Sequence, residues 1–288
     1  MDSWNNRGWK YKTIYIINLL FLLLLVATMI IPLLYTLTVS LSSDLGSMEP
    51  GIKLFPKEIV FDGFVTIWNK MDLWLPFYNN VKVTIIGTFF HVFLSAMAAY
   101  VLIQRKLPGK NILLIFILAT MTIPGEAIMI PLYIVNKDLG LLNTLSSLVI
   151  NGIASGFSIL LLRNFFQSIS YDLAESAKID GAGDLRIFFT IYLPLAKPGI
   201  ATITLFEFVG KWNHFLPALL YINDDHKYTL QIALRSIILS NDATSSGDLL
   251  TPNVSMAGIV IAILPLIIIY PYAQKYFVEG IMLGSTKE

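Results

Sequence analysis

Residues 171–198, YDLAESAKIDGAGDLRIFFTIYLPLAKP, form a polar segment in a chain that is otherwise dominated by long apolar runs. We interpret this segment as a cytoplasmic docking element between two membrane spans. Asp172 and Glu175 have the spacing of a capping box, in which each side chain bonds to an unpaired backbone N–H, so a short helix is predicted to begin at Asp172. Gly181 and Gly183 provide flexible backbone on which that helix can end.

A second short helix is predicted after the glycines. Asp184 can cap its start, and Pro194 and Pro198 are expected to stop it. Small residues beside charged ones suit a partner that approaches the backbone closely, and an ordinary surface loop is the alternative. The small residues are Ala174, Ser176, Ala177 and Ala182.

The composition indicates a polytopic membrane protein. Of the 288 residues, 56% are hydrophobic and only 14% are charged, and the apolar residues are concentrated in long runs. The absence of Cys excludes disulfides, thiolate catalysis and Cys-ligated metals. The net charge of +1 does not indicate a nucleic-acid partner. We expect one transmembrane domain over residues 1–288.

Six stretches approach the length of about 20 apolar residues that a spanning helix needs. The first follows basic residues, as a signal peptide would, but it is longer than a signal sequence and lacks a clear cleavage site. We therefore predict that it stays as an anchor. The six stretches are residues 13–38, 77–102, 112–135, 145–162, 199–221 and 256–272.

The Lys and Arg residues predict the orientation, because basic residues concentrate in cytoplasmic loops. They flank the first span and lie in the loop after the second span, around the polar segment and in the C-terminal tail. Both termini and the loop at 164–198 are therefore expected in the cytoplasm, with loops 40–76 and 222–255 outside. The basic residues are Arg7, Lys10, Lys12, Arg105, Lys106, Lys110, Arg163, Lys178, Arg186, Lys197, Lys275 and Lys287.

Catalytic motifs are missing from the sequence. It has neither a Gly-rich phosphate loop nor a Walker-type lysine, so the chain should not hydrolyse ATP. The histidines His91, His214 and His226 lack metal-ligand spacing. We predict no catalytic residue and no metal site.

Ionisable residues inside the fifth predicted span are candidates for a solute pathway, because such groups are costly in a bilayer and usually face a cavity or a partner. Glu207 and Lys211 lie four positions apart, on one helical face, where they can also neutralise each other. Pathway lining and structural pairing remain equal alternatives for them.

The residues after Lys211 could bind a hydroxylated ring, since Trp212, Asn213 and His214 combine an aromatic face with hydrogen-bonding groups. Trp212 could instead be a membrane anchor. His91 and Glu126 are weaker candidates: His91 suits a packing role, and Glu126 follows Pro124 and Gly125, where the third span is expected to break.

The polar segment resembles a known signature. Glu175-Ser176-Ala177, three further residues, Gly181, nine further residues and then Ile191-Tyr192-Leu193-Pro194 resemble the EAA motif of ABC-importer permeases. Asp180-Gly181-Ala182 matches its usual centre. Ser176 departs from the middle Ala of the motif but is small enough to keep close packing.

Other stretches are similar to the carbohydrate-uptake branch of these maltose-type permeases. The tail, residues 276–284, resembles the C-terminal signature of its LplC-like oligosaccharide group. The resemblance covers nearly the whole chain, with a core at about 77–275. The other matching stretches are Ala98-Ala99-Tyr100 through Arg105, Pro108 and Gly109, then residues 139–144, Trp212-Asn213 and Tyr221-Ile222.

The resemblance implies an all-α integral membrane protein with the type I ABC-importer permease fold, six transmembrane helices and cytoplasmic coupling helices. Its partners would be a second homologous permease, two copies of a cytoplasmic ATPase that binds ATP and Mg, and an extracellular solute-binding protein that delivers a sugar. The chain would lie in the plasma membrane of a prokaryote and would not itself be an enzyme. The residues implied to contact the ATPase are Glu175, Ser176, Ala177, Asp180, Gly181, Ala182, Ile191, Leu193 and Pro194.

Three alternatives stay open. The first is an ABC permease for another polar solute. An ion-coupled secondary transporter predicts inverted repeats and a coupling-ion site, neither of which is evident. A membrane hydrolase predicts a convergent nucleophile and base, also not evident.

Overall fold

The structure is a computed structural model that describes the backbone of residues 9–243 and 251–285. Every regular element in these two ranges is helical, which confirms the predicted all-α class. The first half of the chain forms α1 (Trp9–Ser40), α2 (Asp44–Met48), α3 (Asp62–Met71), α4 (Trp74–Ile103), α5 (Lys110–Thr122), α6 (Met129–Asp138), α7 (Leu145–Ile150) and α8 (Gly156–Gln167).

The second half forms α9 (Tyr171–Ile179), α10 (Asp184–Ile187), α11 (Leu193–Leu195), α12 (Lys197–Trp212), α13 (Leu216–Tyr221), α14 (Leu230–Ala243) and α15 (Pro252–Ser285). A π-helical segment, Phe188–Tyr192, joins α10 to α11. Short 3-10 turns form at Gly125–Ile128 and at Asp225–Lys227.

Three helices in the described ranges are long and apolar enough to cross a membrane: α1, α4 and the Pro252–Pro271 part of α15. Two bent pairs raise the number to five if each pair is one span. Lys110–Thr122 meets Gly125–Asp138 at 94°, and Asp184–Leu195 meets Lys197–Trp212 at 81°. The side chains of α1 are exposed along nearly its whole length, as expected of a helix that faces lipid.

The bends follow from local chemistry. Pro124 lacks an N–H and precedes a 3-10 turn, so the predicted break in the third span is confirmed. Pro194 lies inside α11 rather than stopping a helix, and Pro198 lies in the first turn of α12. Asp184–Leu195 is one helical run, so the second docking helix does end between the two prolines, and the chain bends there at Ala196.

The predicted fourth span, residues 145–162, is not one helix. It consists of α7 and α8 separated by a turn at residues 151–155. Asn151 ends α7, and Gly152 has a φ of +67°, a conformation that a helix cannot contain. Ser155 then caps α8 by accepting a hydrogen bond from the N–H of Ser158. The prediction missed this Asn-Gly turn because it was based on the apolar composition of residues 145–162.

Internal contacts divide the described residues into two units, 9–71 with 236–243 and 251–263, and 72–235 with 264–285. In the first unit, Asn253 at the start of α15 donates to the carbonyl of Ser42 at 3.1 Å and to Asp44 Oδ1 at 2.9 Å. Gly63 lies directly against the backbone of Asn253. These contacts join the segment after α1 to the start of α15.

In the second unit, α4 packs against α7, α8 and α12. One hydrophobic core joins the end of α4 to α8, α9 and the π-helical segment. Its buried members are Ala96, Ala99, Tyr100, Leu162, Phe165, Phe166, Ala174, Ile187, Phe188, Tyr192, Ala196 and Ile203.

Candidate functional sites

The docking segment begins with a helix, as predicted, but with a different cap. Ser170 Oγ accepts a hydrogen bond from the N–H of Asp172 at 3.3 Å, so Asp172 lies in the first turn rather than at the cap. In the first turn, its negative carboxylate interacts favourably with the positive end of the helix dipole. Glu175 Oε1 lies 3.8 Å from Arg105 Nη1 instead of reaching back to the start of α9.

Gly181 ends this helix in a Schellman motif. Its φ is +83°, and its N–H donates to the carbonyl of Lys178 at 3.0 Å. The N–H of Ala182 donates to the carbonyl of Ala177 at 2.9 Å. These two bonds satisfy carbonyls that a helix end otherwise leaves unpaired. The predicted role of Gly181 in ending the helix is therefore confirmed.

Asp184 does not act as the predicted cap of α10. Gly183 occupies the cap position in an extended conformation, and no side chain bonds to the start of this helix. Asp184 Oδ1 instead lies 2.9 Å from Lys178 Nζ, which joins α9 to α10 across the turn. The hydrogen bond that the Lys178 ammonium group donates to Asp184 raises the pKa of Lys178 above its ordinary value.

The helix α9 has an inner and an outer face. Ala174 is buried in the core, and Ala177 and Ala182 pack against it. On the outer face, Leu173 and Ile179 are 50% and 86% exposed. Of the signature residues, Glu175, Ser176, Asp180, Gly181 and Pro194 are exposed, while Ala177, Ala182, Ile191 and Leu193 are half-buried.

Four aromatic rings pack together in the hydrophobic core that also buries Ala174 on the inner face of α9. Tyr100 lies 5.3 Å from Phe188 and 5.1 Å from Tyr192 between ring centroids, and Phe166 lies 5.5 Å from Tyr192. Such contacts add stability beyond the area they bury. The rings connect the docking segment to α4 and α8, and the sequence pattern did not identify this cluster.

A cavity of about 470 Å³ lies beside the break between α5 and α6 and beside the junction of α12 with α13. It brings together three residues predicted for the pathway, Glu126, Asn213 and His214, and adds Asn151 and Tyr221. The other lining residues are Gly125, Ile128, Met129, Leu132, Phe215, Leu216 and Pro217. The walls are mainly apolar with a few polar groups, the usual composition of a small-molecule site.

The polar groups of the cavity differ in how well they are satisfied. Asn213 ends α12, and its Nδ2 donates to the carbonyl of Val209 at 3.0 Å. His214 Nδ1 is buried and has no hydrogen-bond partner among the described residues.

Trp212 does not line this cavity. Its side chain is buried, with the rings of Phe77 and Phe208 at 5.9 and 6.1 Å. Its carbonyl accepts a hydrogen bond from Asn80 Nδ2 at 3.3 Å. These contacts give Trp212 a packing role in the structure.

Glu207 and Lys211 also lie outside the cavity lining. Glu207 Oε1 is 3.8 Å from Lys211 Nζ and 3.4 Å from His91 Nδ1. Lys211 is only 3% exposed, and its ammonium group donates to the carbonyls of Leu148 at 3.2 Å and Val149 at 3.3 Å and also to that of Asn151. Lys211 thus satisfies the C-terminal carbonyls of α7, which sequence spacing could not show.

His91 is a buried and satisfied residue. Its Nδ1 is 2.6 Å from the carbonyl of Gly152, and its Nε2 is 2.8 Å from Ser158 Oγ. The tautomer protonated at Nδ1 makes both contacts hydrogen bonds. No metal-binding group of three His, Asp or Glu residues occurs among the described residues.

The fold and the two sites define a class: a multi-pass helical membrane protein with an exposed docking loop on one packed unit and a cavity beside its interrupted helices. The chain belongs to the family of binding-protein-dependent transport system inner membrane components, whose model matches residues 91–282. It is therefore a permease subunit of an ABC transporter, a transport component rather than an enzyme. The family resemblance inferred from the EAA signature is confirmed.

Relatives and a solved structure cover nearly the whole chain. Protein LplC of Bacillus subtilis (strain 168) is 37% identical over 94% of this chain and 93% of its own. The polygalacturonan/rhamnogalacturonan transport system permease protein YtcP of the same organism is 37% identical over 93% and 96%. One chain of a bacterial ABC transporter involved in the import of the acidic polysaccharide alginate is 30% identical over 94% and 99%, with a TM-score of 0.86.

Proposed function

We propose that this chain carries an oligosaccharide through the membrane as one of two homologous permease subunits of an ABC importer. An extracellular solute-binding protein delivers the sugar, and two copies of a cytoplasmic ATPase bind ATP and Mg and supply the energy. The names of YtcP and of the alginate transporter, which both refer to polysaccharides, support a carbohydrate substrate.

The observation that carries the sugar proposal is the chemistry of the cavity. The amides of Asn151 and Asn213 can each donate and accept hydrogen bonds, as the hydroxyl groups of a sugar require. Phe215 adds an apolar ring and Glu126 a carboxylate. This combination suits a ring that has hydroxyl groups at its edge and apolar faces.

The docking segment supports coupling to the ATPase. Glu175 and Gly181 lie on the exposed outer side, and the inner face of α9 is packed on the aromatic core around Tyr100 and Tyr192. A movement imposed on α9 would therefore reach α4 and α8 as a rigid displacement. ATP-driven closure of the ATPases would in this way shift the permease between inward-open and outward-open states.

We propose six spans and cytoplasmic termini for the membrane topology. The spans would be α1, α4, the bent pair of α5 and α6, the interrupted pair of α7 and α8, the bent segment from α10 to α12, and α15. The basic residues around α9 and in the loop after α4 support this orientation by the positive-inside rule.

Uptake of a labelled oligosaccharide panel by cells that contain or lack the complete transporter tests the substrate class. We expect at least one oligosaccharide to accumulate only when this chain is present. Copurification of an ATPase with the chain separates the proposal from an ion-coupled transporter, which would work alone. Uptake of amino acids or ions but of no sugar would contradict the oligosaccharide assignment.

A further inference from the structure

Asn151 lies in the turn between α7 and α8, at the wall of the cavity. Its N–H donates to the carbonyl of Ser147 at 3.0 Å, which ends α7. Gly152 follows with a φ of +67° and turns the chain away from the helix axis. The direction in which Asn151 points is therefore set by a turn that the apolar sequence pattern does not reveal.

Two buried side chains hold this turn from neighbouring helices. Lys211, from α12, donates to the carbonyls of Leu148 and Asn151. His91, from α4, bonds to the carbonyl of Gly152 at 2.6 Å. The last carbonyls of a helix otherwise lack partners, so these bonds fix the end of α7. A binding residue on such a supported turn would be preorganised.

Most of the hydrogen-bonding capacity of the Asn151 side chain is unused within the described residues. Its Nδ2 lies 3.4 Å from Tyr221 Oη, which is at the long end of the hydrogen-bond range, and no other hydrogen bond to its amide is seen among the described residues. An amide can donate twice and accept twice.

We propose that Asn151 is a substrate-binding residue whose amide donates to one hydroxyl of a glycosyl unit and accepts from the neighbouring one. Lys211 and His91 are positioning residues that hold the turn carrying it. This inference rests on the proposed function, because it assumes that the cavity accepts a sugar.

Thiol protection in the purified, assembled transporter tests this inference. The chain has no native Cys, so Met129→Cys places a single thiol in the cavity and Leu45→Cys places a control thiol on the exposed helix α2. The probe is whichever of maltotriose, xylotriose and trigalacturonate wild-type cells take up best. We expect this sugar to slow labelling at position 129 and not at position 45.

Adding Asn151→Ala should raise the sugar concentration for half-protection about tenfold, the loss expected for one or two hydrogen bonds to a ligand. Tyr221→Phe should have a smaller effect, because it removes only the partner hydroxyl. The quantity of assembled complex and its elution as a single peak in gel filtration show that each variant is folded.

The outcomes separate this inference from the proposed function. If cells take up a sugar but half-protection is unchanged in a well-assembled Asn151→Ala complex, the inference fails and the transport proposal stands. The same holds if Tyr221→Phe reproduces the whole effect, since Asn151 would then act only through Tyr221. If cells take up no sugar of the wider panel, both fail.

Discussion

Gly181 and Gly183 in the docking segment are both exposed, with open space where a Cβ would be, but their backbones differ. Gly181 has a φ of +83°, whereas Gly183 has a φ of −74° and a ψ of 163°, which any residue can adopt. A side chain at Gly181 would therefore strain the Schellman motif, by about 1–2 kcal/mol or more for a β-branched residue.

We expect Gly181→Val to abolish sugar uptake and to reduce copurification of the ATPase, because the turn that presents α9 would be distorted. Gly183→Val is the matched control and should retain both. Membrane abundance measured by immunoblot excludes a failure of insertion. Normal uptake by well-expressed Gly181→Val would mean that this turn does not contribute to coupling.

Lys211 makes a second prediction at the residue scale. An isolated ion pair with Glu207 predicts that removing both charges largely restores stability. The structure predicts that stability is not restored, because the ammonium group also donates hydrogen bonds to the carbonyls of Leu148, Val149 and Asn151. Each buried carbonyl left without a donor costs about 1–3 kcal/mol.

We therefore expect Lys211→Met to lower the unfolding temperature of the purified transporter and Glu207→Gln/Lys211→Met to remain close to that lowered value. Glu207→Gln alone should cost less, because Lys211 keeps its carbonyl partners. Thermal unfolding in detergent measures all three. Recovery of the wild-type midpoint by the double variant would show that the pair with Glu207 is the main interaction of Lys211.

At the element scale, the packing of α12 on α8 depends on Gly199. A Cβ at this position would lie 2.4 Å from Phe165 Cδ2, far inside van der Waals contact. Gly210, on the same helix, has open space at the corresponding position. The two glycines thus differ in their surroundings while sharing one helix.

We expect Gly199→Ala to lower the unfolding temperature, since overpacking of this kind costs about 1–3 kcal/mol. Gly210→Ala should be neutral or slightly stabilising, because Ala favours a helix over Gly. Combining Gly199→Ala with Phe165→Leu should recover part of the loss, and a double-mutant cycle measures the coupling. Equal midpoints for the two alanine variants would contradict this packing arrangement.

For the whole molecule, the testable property is topology. Exposed positions suit cysteine labelling, and Leu45, Lys106 and Asn223 are exposed, one in each of three predicted loops. With an impermeant reagent and intact cells, Leu45→Cys and Asn223→Cys should react, and Lys106→Cys should react only after permeabilisation. Labelling of Lys106→Cys in intact cells would reverse the proposed orientation.

The sequence alone was sufficient for the all-helical class, the family and the docking helix, because each depends on local information. Long apolar runs determine where helices can cross a bilayer, and the EAA spacing lies within one segment. The turn at Gly181 follows from a glycine after a helix-forming run. Glu126 was placed at a helix break because Pro124 and Gly125 are adjacent to it.

Only the tertiary structure decided what the buried polar groups do. Lys211 lies 63 positions from Leu148 and 60 from Asn151 along the chain, and His91 lies 61 positions from Gly152. Their pairing depends on how α4, α7 and α12 pack, which periodicity within one helix cannot reveal. The sequence therefore determined the helical class and the docking helix, whereas packing decided that Trp212 is buried and that Asn151 lines the cavity.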